Sequence, residues 1–377
     1  MDLASLKMYR LKYKLPQPFS IATHTWTHLE TILVQLHYDH FIGIGEAAPF
    51  ALSTGETYDY VVSQLQKFKS YAINPNDDAP HVFYKFLQDN VNSFHATAAL
   101  DSAFHDLLGK LQNKPVYELF GNERNLSLNT LTIPVLGLKE TKEFALSLLQ
   151  HHPQVQLIKI KLNNDKINPE IARVIKDVFA ENVAYVIDPN QSFNDSHQAI
   201  EVLKEIQSIL RTVIAIEQPV EKHDYQGLFD IKSQFDGVDI YADESMVGMD
   251  GLEKLIRMKA VNGVNIKIQK AGGIWKARLL AQRAHEAGLK VMVGSMMEGP
   301  LSVAAGIHFA ASMPNVAFTD LDSDLFIFQD LKEPIFTQSP YIQGMRIPFK
   351  KPGLGIEVNE SVLKHLALQK VLIYEEL

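Results

Sequence analysis

The sequence predicts an α/β protein in which a (β/α)₈-type barrel follows a mixed α+β segment, and three observations predict it. Eight short apolar segments follow residue 126 or so, each trailed by a longer amphipathic stretch. A polar or charged residue stands at or just beyond the end of nearly every one: Lys161, Asp188, Glu217, Asp243, Lys267, Ser295 and Asp322. These positions recur every 24 to 29 residues, and a βα unit takes roughly 30. An open doubly wound sheet is the competing architecture, but it gives no reason for polar residues at nearly every strand end. Barrel enzymes carry their chemistry on that face.

The elements follow in order. Residues 7–15 and 31–38 alternate with period two and are rich in β-branched and aromatic side chains, as strands are. The second run passes through Asp39-His40 into 41–46, which predicts a hairpin. Helical spacing covers 57–72 and 97–111. The barrel strands are read at 131–135, 157–162, 184–187, 213–216, 240–242, 264–268, 291–293 and 317–321. After Pro348 the rhythm stops, with Lys350-Lys351-Pro352-Gly353-Leu354-Gly355 as a loop and a short tail.

Composition removes several classes of function. The chain has 377 residues and a formal net charge of −8, with no block of Lys/Arg, so no nucleic-acid partner is expected. No apolar run approaches the ~20 residues of a membrane span. The first residues carry no basic region followed by an apolar one, so no secretory leader is predicted and a cytoplasmic location is expected. There are no cysteines, which excludes disulfides, thiolate metal sites and a cysteine nucleophile. An enzyme built on carboxylates, lysines, histidines or a bound metal remains.

Three successive strand ends each present a carboxylate: Asp188 before Pro189-Asn190, Glu217 before Gln218-Pro219, and Asp243 before Glu244-Ser245. Three convergent anions repel unless a cation joins them, and all-oxygen ligation suits Mg²⁺, expected at one per subunit. Lys159 and Lys161 lie two apart on one strand, so both point to one face, here inward. Lys267 does the same from the sixth strand, across the mouth. Repulsion between Lys159 and Lys161, with the metal nearby, should lower an ammonium pKa toward neutrality, making a base that works near pH 7. A metal that binds a carboxylate substrate stabilises the enediolate formed when an α-proton leaves. One lysine on each face then permits removal from one side and delivery from the other: racemisation or epimerisation.

The segments Lys159-Ile160-Lys161, Asp188-Pro189-Asn190, Glu217-Gln218-Pro219, Ala242-Asp243-Glu244-Ser245 and the run from Asn265 to Ile274 together resemble the muconate-lactonizing subgroup of the enolase superfamily. The resemblance spans essentially the whole chain. It implies a modified TIM barrel, (β/α)₇β, over 123–347, with an N-terminal α+β capping domain over 1–122 and a tail, 348–377, that packs back on the cap. Loops around 18–26 and 43–56 are implied to close over the substrate, with Asn190 and Glu244 standing behind the metal ligands.

Within the subgroup the chain looks most like the dipeptide epimerases, isomerases that act on L-Ala-L-Xaa dipeptides. Asp320 and Asp322 match the Asp-x-Asp pair that holds the dipeptide's ammonium in that family; Asp324 reads better as part of a solvated acidic loop. The resemblance gives Lys159 to carboxylate binding and brings Thr132, Ser295 and Glu298 near the substrate, while Met296 and Met297 fit core equally well. Alanyl-glutamate epimerases carry an Arg where His24 stands, so bidentate capture of a glutamate side chain is lost here. A homo-oligomer is expected. The alternatives are an L-Ala-D/L-Glu epimerase, a lyase or cycloisomerase such as o-succinylbenzoate synthase, which needs no ammonium anchor, and a metal-dependent binding protein, which needs no lysines.

Overall fold

The computed structural model describes residues 5–68, 79–121, 124–179, 183–327, 335–366 and 369–375. The N-terminal segment forms an antiparallel sheet of β1 (Ser5–Ser20), β2 (Thr25–Tyr38) and β3 (Phe41–Ala47). The predicted hairpin turns at Asp39, whose φ of 51° is the left-handed conformation a two-residue turn demands. Helices α1 (Ala51–Thr54), α2 (Tyr58–Leu65), α3 (Ala79–Asn90) and α4 (Phe94–Leu111) follow. α2 is shorter than the predicted 57–72, whose last residues lie outside the described ones, and α3 carried no reading from sequence.

α4 lies directly on β3 because two glycines remove the obstacle. A Cβ on Gly43 would fall 2.1 Å from the Ala103 carbonyl oxygen, and one on Gly45 the same distance from that of Ala99. Ser93 caps the helix, its hydroxyl accepting from the Ala96 amide at 3.0 Å. Apolar residues of sheet and helices then share one core of Leu36, Phe83, Leu100 and Phe104 with their neighbours.

The second sheet has eight parallel strands in sequential order: β4 (Leu131–Ile133), β5 (Leu157–Lys161), β6 (Ala184–Asp188), β7 (Val213–Glu217), β8 (Asp239–Ala242), β9 (Gly263–Lys267), β10 (Lys290–Gly294) and β11 (Val316–Asp320). It closes on itself beside β4, where the Thr319 amide donates to Leu128 O and the Thr130 amide to Thr319 O, both at 2.8 Å. Closure settles the choice between barrel and open sheet. The crossovers are α5 (Leu138–His151), α6 (Asn168–Phe179), α7 (Ser196–Ile209), α8 (Tyr225–Gln234), α9 (Gly248–Met258), α10 (Ile268–Ala271) with α11 (Ile274–Glu286), and α12 (Pro300–Ala311). Seven crossovers join eight strands, which is a (β/α)₇β barrel. Strand alternation sends Leu157, Val186, Ala215, Tyr241, Met292 and Phe318 inward, where they fill the barrel floor. Gly263 makes room for the Tyr241 ring, 2.3 Å from where a Cβ would stand.

Beyond the barrel lie α13 (Ser323–Ile327), the small hairpin β12 (Tyr341–Ile342) with β13 (Met345–Arg346), α14 (Glu360–Leu366) and β14 (Gln369–Glu375). β14 pairs antiparallel with β1 at the edge of the first sheet. The predicted boundary at 122/123 falls outside the described residues. Among the described residues, no helix is long and apolar enough to cross a membrane.

His308 in α12 ties these parts together. Its Nε2 faces Leu354 O at 3.1 Å and therefore carries the proton, while Nδ1 accepts from the Tyr117 amide at 3.3 Å. Burial pushes its pKa down from 6.5 to about 4. The neutral ring therefore stabilises the fold fully above pH 6.5, and that stabilisation is lost as pH falls toward 4. About 2 kcal/mol of it should be gone at pH 5. Denaturant unfolding at pH 7.5 and pH 5 should show a smaller acid loss in His308→Gln than in the native chain; equal losses would assign the effect to other groups.

Candidate active site

The same alternation that fills the floor with apolar groups fills the level above it with charge. Lys159 and Lys161 come from β5, Asp188 from β6, Glu217 from β7, Asp243 from the end of β8, Asn265 and Lys267 from β9, and Asp320 from β11. Lys159 is fully buried and its ammonium meets three carboxylates: Asp188 Oδ2 at 2.9 Å, Glu217 Oε2 at 2.7 Å and Asp320 Oδ2 at 2.7 Å. Lys161 lies 2.5 Å from Asp188 Oδ2. Lys267 lies 2.7 Å from Asp243 Oδ2, and Lys270 reaches the other oxygen at 2.5 Å.

Three further side chains complete the frame. Asn265 donates to Glu217 Oε1 at 2.6 Å. Gln218 Oε1 accepts from the amides of Asp243 and Ser245, each at 3.0 Å. Thr130 donates to Asp320 Oδ1 at 2.6 Å. Sequence reasoning missed Lys270, Gln218 and Thr130; Asn265 shares the face of Lys267 at period two and was legible in principle. Strain marks the same place: Asn190, Gln191 and Gln218 hold positive φ of 45°, 65° and 37° at two adjacent strand ends.

Above this level lies a cavity between barrel mouth and cap. Thr132, Lys161, Asn190, Asp243, Glu244, Lys267, Ser295, Asp320 and Asp322 line it from the barrel, together with Met296 and Met297. Phe19, Ile21, Thr23, Trp26, Phe50, Leu52 and Ser53 line it from the cap. Asp188, Glu217 and Lys159 sit beneath.

Two expected substrate neighbours stand apart. His24 is exposed, its ring edge-on to Trp26 at 4.5 Å, so it buttresses an aromatic wall and does not line the cavity. Glu298 is buried outside the cavity and faces Glu46 of the cap; burial and then Glu46 push its pKa up to about 8. A third expectation fails at Asp324, which is not a solvated loop residue. It is fully buried and gripped by both guanidinium nitrogens of Arg346, at 2.7 and 2.8 Å. Taken without a cation, the carboxylates around the buried lysines work against the lowering expected beside a metal. Burial does pull Lys159 and Lys267 down, but Asp188 at Lys159 and Asp243 at Lys267 outweigh it and hold both above their ordinary value.

The charges do not cancel. Asp188, Glu217, Asp243, Glu244, Asp320 and Asp322 outnumber Lys159, Lys161, Lys267 and Lys270 by two. Burial and then Asp188 push Glu217 up, and burial with Asp243 pushes Glu244 to about 8. Among the described residues, no three acidic or histidine side chains stand ready as a ligand set, because ammonium groups lie between them. The donor chemistry nonetheless fits a hard divalent cation: oxygen only, two more carboxyl than ammonium groups, and Glu244 Oε2 without a hydrogen-bond partner among the described residues. The two aspartates of β11 differ. Asp320 is committed to Lys159 and Thr130, whereas Asp322 accepts the Thr132 amide at 2.7 Å and makes no ion pair among the described residues; burial and Asp320 raise it to about 7.

A barrel with acids and lysines at its strand ends beneath a cap of this build is a known class. Residues 142–362 match the enolase C-terminal domain-like family, and residues 5–121 match the N-terminal domain of mandelate racemase/muconate lactonizing enzymes. The chain belongs to the mandelate racemase/muconate lactonizing family of the enolase superfamily. It is 30% identical over 335 residues to a hydrophobic dipeptide epimerase of Enterococcus faecalis, covering 86% of this chain and 91% of that one. It is 27% identical to an N-succinyl-L-Arg/Lys racemase of Bacillus cereus, over 98% of both chains. The solved structure of a substrate-liganded L-Ala-D/L-Glu epimerase of Bacillus subtilis is similar with a TM-score of 0.85 and 27% identity, over 94% of this chain and 99% of that one.

The charge excess generates a prediction. Titrating Mg²⁺ into the protein should raise its melting temperature, by the equivalent of about 2.7 kcal/mol at a hundredfold excess over the dissociation constant. Glu217→Gln should lose most of that gain. An equal gain in the variant would assign the ion to other ligands.

Proposed function

We propose that this chain is a Mg²⁺-dependent dipeptide epimerase that inverts the α-carbon of the C-terminal residue. The observation that carries the reading is Asp322, a buried carboxylate in the cavity wall that makes no ion pair among the described residues, in the same chamber as two opposed lysines. β5 and β9 are four strands apart in a barrel of eight, so Lys161 and Lys267 approach the cavity from opposite sides. With Asp188 and Asp243 engaged by a cation in place of their ammonium partners, one lysine would be free to take the α-proton from its face and the other to return a proton to the opposite face. Mg²⁺ held by Asp188, Glu217 and Asp243 would supply positive charge to the substrate carboxylate as its α-carbon turns acidic. Lys159, buried against three carboxylates, keeps the floor of the site in place.

The cap contributes the wall of the side-chain subsite. Phe19, Ile21, Trp26, Phe50 and Leu52 line it, with no Arg or Lys from the cap among the described lining residues. A glutamate side chain would find no cation there, so we infer an apolar residue at the epimerised position. Relatives of both kinds are similar to this chain, hydrophobic dipeptide epimerases and L-Ala-D/L-Glu epimerases, so the apolar lining alone carries this choice.

Two experiments test it. In D₂O, Lys161→Ala and Lys267→Ala should each abolish net epimerisation of L-Ala-L-Phe, and each should retain α-proton exchange with one epimer only. Full activity in either variant would end the two-base scheme. The anchor is tested on Asp322→Asn, which keeps shape and removes a charge. It should lower kcat/KM for the free dipeptide by ~100-fold, equivalent to ~2.7 kcal/mol of transition-state binding. The N-acetyl dipeptide should be a poor substrate for the native chain and lose little more in the variant. If acetylated and free dipeptides respond alike, an N-acyl amino acid racemase or a lyase becomes the better reading.

A further inference from the structure

We propose that Gln269 is a positioning residue that sets the cap wall of the cavity against the strand carrying Lys267. The specificity part of this inference rests on the dipeptide reading above; the mechanical part does not. Gln269 follows Lys267 by two residues, in the single turn α10, and is completely buried. Its carboxamide fills four contacts. Oε1 accepts from the Ala48 amide at 3.0 Å and faces His95 Nδ1 at 2.9 Å. Nε2 donates to Glu46 O at 2.7 Å and to Ser302 Oγ at 2.8 Å. The amide's orientation is fixed, since only an oxygen can meet the Ala48 N–H and only a nitrogen the Glu46 carbonyl.

Three of those partners, Glu46, Ala48 and His95, belong to the cap. Ala48 opens the loop that carries Phe50 and Leu52 to the cavity rim. His95 extends the connection. With Nδ1 donating to Gln269, its Nε2 is the acceptor that meets Thr54 Oγ1 at 3.0 Å and the Phe50 amide at 3.5 Å. The far end of the loop is held by Glu56, which accepts from the amides of Phe94 at 2.8 Å and His95 at 3.2 Å. Between these supports Leu52 stands 63% exposed over the cavity. The wall that would meet the substrate side chain is thus hung, through one carboxamide, from the backbone next to Lys267.

A merely structural glutamine would lower stability without changing which substrate is preferred, so the test separates the two. Gln269→Leu keeps the volume and removes all four bonds. Hydrogen–deuterium exchange of the purified chain should show amides in 48–54 exchanging at least ~10-fold faster, with β9 protected as in the native chain. The ratio of kcat/KM for L-Ala-L-Phe over L-Ala-L-Ala should fall by ~10-fold, mainly through KM for the phenylalanyl substrate. Thr54→Val removes the outermost link, the hydroxyl's contacts with His95 Nε2, Phe50 O and the Glu56 amide, and should move both readouts the same way by ~2- to 3-fold, which decides the matter should Gln269→Leu fail to fold. Native protection of 48–54 in the folded variants would overturn the clasp. Faster exchange with an unchanged substrate ratio would overturn its role in specificity. Failure of the native chain to turn over either dipeptide overturns the functional reading and the specificity claim together, while exchange still decides the clasp.

Discussion

A cluster of charge taken out of water is the constraint on which the rest of this structure depends. Lys159 has no exposure at all, and a lone ammonium there would cost several kcal/mol. Three carboxylates from three different strands offset that cost, and they can do so only if the strands hold register around a closed barrel. The demand propagates outward. Asn265 takes the second oxygen of Glu217, Gln218 fixes the backbone around Asp243, Lys270 takes the oxygen that Lys267 leaves, and Thr130 reaches Asp320 across the closing seam. Each of these polar groups answers an atom that would otherwise be buried without a partner.

The cap follows from the same constraint. Charges in the barrel mouth interact strongly only where water is kept out, and aromatic and aliphatic side chains of the N-terminal segment close that mouth. Such a lid has to be held in place by something other than apolar contact, which specifies no single geometry. Between α10 and the cap loops, directed hydrogen bonds through Gln269 and His95 provide it. On the other side of the mouth, Arg346 holds Asp324 and the Leu321 carbonyl, at 2.8 Å for the latter, fixing the turn that presents Asp322.

Much of this was legible in the sequence because strand periodicity is local. The βα step gave all eight barrel strands to within two residues, and period two put Lys159 and Lys161 on one face. What was not legible depends on partners distant in the chain. Asp324 reads as a surface acid until Arg346, 22 residues on, folds back beside it. His24 stands edge-on to Trp26, which lines the cavity in its place, and a linear pattern does not encode that contact. Glu298 follows a strand end as the site residues do, yet the chain turns it toward Glu46 of the cap, 252 positions earlier. The carboxylates around Lys159 were not legible for a related reason. Lys159 and Lys161 are neighbours in sequence, but the charges that govern Lys159 come from β6, β7 and β11.

The two aspartates at the end of β11 show how position alone divides one motif into two tasks. Asp320 ends its strand directly above Lys159, so its charge is spent on closing the barrel floor. Asp322 is two residues further, past the strand, where the Thr132 amide and hydroxyl reach it. A permanently ionised Asp322 would be a costly buried charge, and its pKa near 7 lets it carry a proton part of the time instead. A cation arriving beside it favours the ionised form, so binding an ammonium group below neutral pH is coupled to release of that proton. Under the dipeptide reading proposed above, the carboxylate would thus cost little before the ligand arrives and act at full charge once it has bound. Asp320, already matched to Lys159, has no such reserve.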